Sequence, residues 1–154
     1  MPIKWMTEQK CLRLLEKAIY GRLATSGPGN NPYITPLNFV FYEGKIYFHC
    51  AFEGTKIDNL KNNPKVCFEV SAPGKLYTAA HAKNFSMRFW SVLVFGEAKQ
   101  IVNPALKLAV LNALMEKYAS GYDYSPLTFE DTEIVNIIEI SIRKISGKVN
   151  VDPK

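Results

Sequence analysis

The sequence predicts a mainly β (α+β) protein, an antiparallel barrel or sandwich with flanking helices. Six or so segments have the composition of strands, and turns join most of them as hairpins rather than as alternating βαβ units. Amphipathic segments at the beginning, in the middle and late in the chain predict helices. The 154 residues are expected to form one domain, residues 1–154, which is long enough to bury a core without disulfides.

The N-terminal part predicts a helix from about Thr7 to Ile19, with Thr7 as its N-cap. Apolar or small side chains recur along it at helical spacing, at Cys11, Leu14, Leu15 and Ala18. The following "GRLATSG" indicates a short strand, and "PGNNP" indicates a turn. The chain is therefore expected to pass from a helix directly into the sheet.

The next segment, "YITPLNFVFYEGKIYFHCAF", predicts two strands that form a hairpin around Glu43 and Gly44. "TKIDNLKNNP" predicts a short helix that ends at Asn62, Asn63 and Pro64. The β-rich, apolar "KVCFEVS" after it indicates a buried strand.

The later segments predict a long strand, a helix and a closing strand. "FSMRFWSVLVFGEAKQIV" is either a strand pair or one bent strand, with a bulge or bend at Gly96. "NPALKLAVLNALMEKYA" is an amphipathic helix with Asn103 as N-cap and Pro104 at its first position. In "IVNIIEISIRKISGKV" isoleucines alternate with polar residues, which predicts one buried and one solvated face. The final "NVDPK" is expected to form a loose tail.

Composition excludes several classes of function. The net charge is +5, but the lysines and arginines are scattered, which does not favour nucleic-acid binding. No apolar run approaches the roughly 18 residues of a membrane span, and the N-terminus does not resemble a signal peptide, so a cytoplasmic protein is expected. Three cysteines without C-x-x-C spacing and two histidines predict neither a disulfide framework nor a metal site, and Cys11 and Cys67 are expected in the core.

The turn Gly54-Thr55-Lys56 opens the short middle helix. It lacks the residue order of a Walker loop, so nucleotide-triphosphate hydrolysis is disfavoured. Backbone N–H groups, a hydroxyl and an ammonium at a helix start could still bind one phosphate monoester. The alternative is that Lys56 is an ordinary surface lysine.

His49 and the pair Trp90-Ser91 are the other candidates. His49 could be a core histidine, a metal or haem ligand, or a contact to a cofactor ring. Cys50 follows it on the same strand, so the two side chains point to opposite faces and do not form a nucleophile pair. Trp90 and Ser91 either offer an aromatic face and a hydroxyl to a ligand or are a core tryptophan and a solvent serine.

The ordered pieces "GRLAT", "PYITPLNFVFYEGKIYFHCAFEGTKIDNLKNNPKVCFEV" and "FWSVLVFGEAKQI" resemble the flavin-binding split-barrel superfamily of pyridoxamine 5′-phosphate oxidase, in particular its nitroimidazole-resistance (Nim-type) branch. The matching pieces span Gly21 to about Val102, with weaker agreement after Pro104. The resemblance implies a six-stranded Greek-key split β-barrel and a homodimer that binds flavin mononucleotide (FMN) at the subunit interface. Apolar residues on both faces of "FSMRFWSVLVF" and "YITPLNFVF" also favour a covering partner.

Carried over by position, the resemblance implies a set of cofactor-binding residues. The isoalloxazine ring would lie along the backbone of "TPLN", the phosphate would meet the helix turn, and a later strand would approach the cofactor. The residues are Pro36, Leu37, Asn38, His49, Cys50, Thr55, Lys56, Trp90 and Ser91. No catalytic residue is assigned. Haem is the alternative cofactor, with His49 as its candidate ligand.

The chain also departs from true pyridoxamine-phosphate oxidases. An arginine early in "YITPLN" and another before the helix lysine, where Thr55 stands, are missing, as is the arginine-rich C-terminal segment. Vitamin B6 oxidation is therefore not expected. The leading hypothesis is a flavin-dependent oxidoreductase that reduces a small electrophile such as a nitroaromatic or quinone. The alternatives are a non-catalytic flavin or haem carrier or sensor, and a cofactor-free interaction module.

Overall fold

The computed structural model describes residues 3–150. The helices are α1 (Glu8–Lys17), α2 (Thr55–Asn62) and α3 (Pro104–Ala119). The strands in this part of the chain are β1 (Ile3–Trp5), β2 (Gly21–Ser26), β3 (Pro32–Leu37), β4 (Val40–Tyr42), β5 (Lys45–Cys50), β6 (Lys65–Tyr77), β7 (Ser86–Ile101) and β8 (Asn136–Asn150). Except for Asn150, which ends β8, the predicted C-terminal tail lies outside the described residues.

The strands form one antiparallel sheet in the order β3-β2-β6-β7-β8-β5-β4, with β1 added beside the end of β8. Within residues 3–150, β3 pairs with β2 alone and β4 with β5 alone, so the curled sheet is open between its two end strands. The predicted split barrel with flanking helices is confirmed. The strand count of six is wrong, because β1 adds a strand and "YITPLNFVF" forms two strands rather than one.

The break between β3 and β4 follows from the burial of Phe39. Its ring is fully buried and packs edge-to-face on Phe68, with ring centroids 4.8 Å apart. Its backbone N–H donates to the hydroxyl of Tyr118 at 3.1 Å instead of to a neighbouring strand. The chain therefore leaves the ladder for two residues, Asn38 and Phe39, and starts β4 on the other side of the split.

The barrel interior is filled by alternate side chains of the strands and closed by one face of α1. Helix α1 begins after Thr7, whose Oγ1 accepts the N–H of Lys10 at 3.3 Å, as predicted. The fully buried side chains of this core include Cys11, Leu15, Leu23, Phe48, Phe68, Val70, Val92, Val94 and Ile140. The helical spacing read from the sequence therefore identifies the face of α1 that packs on the barrel.

A second apolar cluster lies on the outside of the sheet, where α3 covers β4, β5 and β8. It contains Val40, Tyr47, Ile101, Val110, Leu114 and Ile137. Because of this cover, the first half of β8 is buried on both faces, and Glu139 is only 2% exposed. The prediction of a solvated face along this strand is wrong there, since the polar side chain of Glu139 lies beneath neighbouring residues rather than in water.

The long strand β7 is continuous and irregular at Gly96. Its pairing with β8 shifts register between Phe95 and Gly96, which confirms the predicted bulge. A Cβ at Gly96 would collide with the carbonyl oxygen of Ser141, so the close approach of β8 requires glycine here. The hairpin at Glu43 and Gly44 is also confirmed, since both have positive φ angles of 46° and 79°.

Helix α3 begins as predicted, with Asn103 Oδ1 accepting the N–H of Leu106 at 3.0 Å and Pro104 at the first position. Strand β6 is longer than predicted: it continues to Tyr77 and forms a two-stranded arm with the start of β7. None of the described helices is both long enough and apolar enough to cross a bilayer. The cytoplasmic location stays a prediction.

We expect Gly96→Ala to destabilise the protein by about 1–3 kcal/mol, the usual cost of forcing extra atoms into a packed site. The methyl group must displace the backbone of β8 at Ser141, which cannot move without breaking the ladder. Urea denaturation gives the free energy of unfolding. Gly44→Asn is the control, because its site is open and asparagine tolerates a positive φ. Equal stability of Gly96→Ala and the wild type would contradict the close approach.

Candidate functional site

An open, largely apolar groove runs over the outer face of β2, β3, β6 and β7. Its volume is about 450 Å³. The lining side chains alternate with those that fill the barrel, so the same strands serve the core and the groove. They are Arg22, Ala24, Ile34, Cys67, Glu69, Ser71 and Leu93.

One charged pair crosses this groove. Arg22 Nη1 donates to Glu69 Oε2 at 2.6 Å, and the pair joins neighbouring strands at directly opposed positions. The guanidinium also stands over the ring of Tyr20 at 5.1 Å. Cys67 lies in the groove rather than in the core, which corrects its predicted position; Cys11 is buried in the core as predicted.

The predicted ring-binding segment Pro36-Leu37-Asn38 lies at the end of β3. Pro36 is exposed and opposes Arg22 across the β2–β3 pair, next to the groove. Leu37 packs on the barrel core, and Asn38 is exposed in the break before β4. The segment therefore follows one border of the split.

The predicted residues His49 and Cys50 lie at the end of β5. The short strand β4 pairs only with the first half of β5, from Lys45 to Tyr47, so the end of β5 forms the other border of the split at this level. As predicted, they face opposite ways: His49 is exposed, whereas Cys50 packs on the core. Asn136 Nδ2 contacts Cys50 Sγ at 3.7 Å and donates to the carbonyl of Ala51 at 3.3 Å. The end of β5 is thus held by a buried amide that sequence reasoning did not identify.

Thr55 and Lys56 lie in the first turn of α2. Gly54 precedes them with φ 126°, and no side chain caps the helix start. Lys56 is close enough to Cys50 for its charge to lower the pKa of that thiol, although burial is the larger effect and raises it. The helix is held against β2 by Asn59, whose Nδ2 donates to Thr25 Oγ1 at 3.0 Å. This contact fixes α2 beside β2, and the helix turn follows the end of β5 directly in the chain.

Trp90 and Ser91 separate by strand alternation. Trp90 packs partly buried against the barrel core. Ser91 faces outward, opposite Ser71, in a shallow depression that also contains Trp5 and Leu93. Ser91 therefore borders the groove, while the tryptophan is a core residue.

Two buried oxygen atoms without partners lie in or beside the predicted cofactor segments. The described residues include three buried side-chain oxygen or nitrogen atoms that make no hydrogen bond: Thr35 Oγ1, Asn136 Oδ1 and Asn150 Oδ1. Thr35 directly precedes Pro36, and Asn136 pairs with Cys50 across β5 and β8. A buried acceptor without a donor costs free energy, so such atoms often indicate the place of a ligand.

Glu139 forms a polar cluster that the sequence did not predict. Its carboxylate accepts hydrogen bonds from Lys45 Nζ at 2.9 Å and Tyr47 Oη at 2.8 Å, and Lys99 Nζ lies at 3.4 Å. Burial alone would raise the pKa of Glu139, but these hydrogen bonds and the two ammonium charges outweigh it and lower the pKa. Burial and the same carboxylate raise the pKa of Tyr47.

The sequence model of the family described as pyridoxamine 5′-phosphate oxidase matches residues 7–149. The chain belongs to this family. A search of curated proteins found no significant match. The match covers both borders of the split, the groove and all three helices, and so confirms the predicted family.

Several solved structures have the same fold at low identity. A protein of Bacteroides thetaiotaomicron provisionally assigned to 5-nitroimidazole antibiotic resistance has a TM-score of 0.81 and 24% identity over 97% of this chain and 89% of its own. The flavocytochrome Anf3 of Azotobacter vinelandii has a TM-score of 0.82 and 24% identity over 97% of this chain and 70% of its own. The FAD and heme binding protein of Mycobacterium smegmatis has a TM-score of 0.85 and 18% identity over 97% of this chain and 74% of its own.

We expect Glu139→Gln to lower the free energy of unfolding at pH 7 by about 1–3 kcal/mol, because the hydrogen bonds from Lys45 and Tyr47 lose their charged acceptor. The folded-state pKa of Glu139 is depressed, so its contribution is present above the unfolded pKa of about 4.3 and disappears as the pH falls through the folded value. The difference between variant and wild type should therefore shrink in acid.

Chemical denaturation between pH 7 and pH 3 measures this difference. Glu97→Gln is the matched control, since its ion pair with Arg143 is exposed and should contribute roughly 0–1 kcal/mol. A Glu139→Gln effect that is constant over this pH range would show that shape, not charge, is responsible.

Proposed function

We propose that the protein is an FMN-binding flavoprotein whose cofactor lies at the split between β3 and β5. The observation that carries the proposal is the pair of buried, unpartnered oxygens, Thr35 Oγ1 in the predicted ring-binding segment and Asn136 Oδ1 on β8, opposite the predicted cofactor contact Cys50. The N–H and O–H groups of a flavin would supply donors to such atoms. The names of several structural relatives refer to flavin binding, which supports the same class of ligand.

The phosphate end of the proposed site is the first turn of α2. Its uncapped backbone N–H groups, the hydroxyl of Thr55 and the ammonium of Lys56 are the donor set that binds a monoester phosphate. This turn follows the end of β5 directly in the chain, since β5 ends at Cys50 and α2 begins at Thr55. A ligand with a ring at one end and a phosphate at the other would contact both the helix turn and the end of β5.

The ring end is the backbone of Pro36, Leu37 and Asn38. Since β3 pairs on one side only within residues 3–150, its other edge has backbone groups available to a ligand. The bound flavin would supply the electron-transfer chemistry, and the protein would bind, orient and shield it. Leu37 packs on the core and so gives this edge a fixed position.

The groove beside the ring end is the proposed surface for a second copy of the chain. It is open, and apolar side chains around it are strongly exposed, with Ile34 at 64%, Trp5 at 74% and Phe95 at 43%. The exposure of so much apolar surface to water is unfavourable, so the binding of a partner that covers this face would be favourable. We propose a homodimer with FMN at the subunit interface.

The proposed reaction is the reduction of a small electrophile, such as a nitroaromatic or a quinone. The similarity to a protein provisionally assigned to nitroimidazole resistance supports this substrate class. The missing arginines argue against a pyridoxamine phosphate substrate. No described side chain stands out as a general acid, so none is assigned.

A haem carrier or sensor is the second candidate. It is favoured by the exposed imidazole of His49 at the end of β5, which is free to reach a ligand. The flavocytochrome and the FAD and heme binding protein among the structural relatives show that this fold accommodates haem proteins.

The absorption spectrum of the purified protein tests both candidates. Bound flavin gives bands in the blue and near ultraviolet, haem gives a Soret band, and mass spectrometry of the released ligand distinguishes FMN from FAD. Consumption of a reduced nicotinamide that depends on an added nitroaromatic tests the reaction. A colourless protein that takes up neither added FMN nor haem would refute both candidates.

We expect Lys56→Ala to weaken FMN binding roughly ten- to a hundredfold while leaving riboflavin binding almost unchanged, because the lysine meets only the phosphate. Quenching of flavin fluorescence gives both dissociation constants. Lys61→Ala is the matched control, an exposed lysine in the last turn of the same helix. Equal losses for the two ligands would show that Lys56 supports the fold instead.

We expect a stable dimer with two equivalent flavin sites, measured by light scattering at micromolar concentration. Ile34→Glu should give monomers that release the cofactor, because a carboxylate on the groove cannot be covered by an apolar partner surface. Val102→Glu is the control at a similarly exposed position outside the groove. A wild-type monomer that retains stoichiometric flavin would contradict the shared site.

A further inference from the structure

We propose that Lys117 and Tyr118, in the last turn of α3, are positioning residues that fix the flavin-contact segment Pro36-Leu37-Asn38. They hold the residue that follows this segment, Phe39, by both of its backbone polar groups. The inference rests on the proposed function, since it assigns to the two residues a role in ring binding. Nothing in the family resemblance read from the sequence assigns a role to either residue.

The contacts of Tyr118 join three elements. Its hydroxyl accepts the N–H of Phe39 at 3.1 Å and lies 2.7 Å from the carbonyl oxygen of Ile19, just after α1. It also lies 2.9 Å from the carbonyl oxygen of Phe39. The end of α3 is thereby connected to the end of α1 and to the β3–β4 break.

The hydroxyl has one proton and therefore cannot donate to both carbonyls at once. Lys117 resolves this shortage, because its Nζ donates to the carbonyl oxygen of Phe39 at 3.0 Å. Tyr118 can then give its proton to Ile19, the closer acceptor. The two residues together satisfy groups that neither could satisfy alone, so they act as a unit.

Neighbouring groups hold the side chain of Lys117 in place. Its ammonium stands 3.9 Å from the centre of the buried ring of Phe39. It lines a cavity of about 350 Å³ between α1, β4 and α3, together with Glu16, Glu116 and Tyr42. A cation over an aromatic ring that also donates to the backbone of the same residue restrains both the side chain and the main chain of Phe39.

This restraint matters at the split because the segment leaves the β2–β3 ladder there. Within residues 3–150, β3 pairs with β2 alone, and the ladder ends at Leu37 opposite Gly21. Asn38 is exposed, so the next fixed point of the backbone is Phe39. Fixing Phe39 therefore fixes the C-terminal end of the segment Pro36-Leu37-Asn38. This lowers the conformational entropy that is lost when a ring binds along the segment.

The test uses Tyr118→Phe, which deletes the hydroxyl and keeps the ring, and Lys117→Met, which deletes the charge and keeps the length. Tyr122→Phe and Lys17→Met are matched controls at exposed positions. The first measurement is amide hydrogen exchange of Phe39 in the flavin-free protein. We expect the two variants to raise its exchange rate at least fivefold and the controls to leave it unchanged.

The second measurement is binding of FMN and of riboflavin to the dialysed protein. Because the segment would contact the ring, both ligands should lose affinity by the same factor, about five- to tenfold per variant for one lost hydrogen bond. At saturating flavin, the visible circular dichroism of the bound ring should also change. A purely structural loss would lower thermal stability without altering the spectrum of the saturated complex.

The outcomes separate this inference from the proposed function. A wild-type protein that binds neither FMN nor riboflavin overturns both. A wild type that binds flavin, with Tyr118→Phe and Lys117→Met unchanged in affinity and spectrum, overturns the positioning role alone. Unchanged exchange at Phe39 in both variants also overturns it, because the hydrogen bonds would then not restrain the segment.

Discussion

The ladder between β7 and β8 is the interaction on which the rest of the structure depends. It runs from Trp90 opposite Val149 to Ile101 opposite Ile137, and it joins the half-sheet β3-β2-β6 to the half-sheet β5-β4. The groove lies mainly on the first half-sheet. The turn of α2, in contrast, follows β5, which belongs to the second half-sheet. The two borders of the split are thus kept at a fixed separation by strands on the opposite side of the barrel. Gly96 allows β8 to approach closely enough for this curvature.

Much of the fold could be predicted from the sequence, because local signals agree with the final structure. Thr7 and Asn103 cap helices, and Glu43-Gly44 forms the hairpin turn. The failures occur where tertiary contacts override a local pattern. Alternation around Glu139 suggested a solvated face, but α3 packs nearby and Lys45 compensates the buried charge. No periodicity in one strand contains that information.

The candidate site was predictable only through the order of its pieces. Pro36 and Cys50 are distant in the sheet order yet border the same split, which no short motif reveals. Lys117 and Tyr118 gave no signal, since a lysine and a tyrosine near the end of a helix are ordinary. The position of Lys117 is energetically costly: burial lowers its pKa to about 8. The folded state is therefore penalised while the amine is protonated, and this penalty declines as the pH rises from about 8 towards the ordinary value near 10.4.

The prolines of β3 have a consequence for the open edge of the sheet. Pro32 and Pro36 stand four residues apart, opposite Ser26 and Arg22, and proline in a sheet occurs where its missing N–H would have faced away from the neighbouring strand. The unpaired edge of β3 therefore presents carbonyl acceptors with few donors. An extended peptide or the β3 of another molecule cannot complete a regular antiparallel ladder against it, because the hydrogen bonds donated from positions 32 and 36 would be missing. The barrel can remain open for a small ligand without becoming a template for strand addition and aggregation.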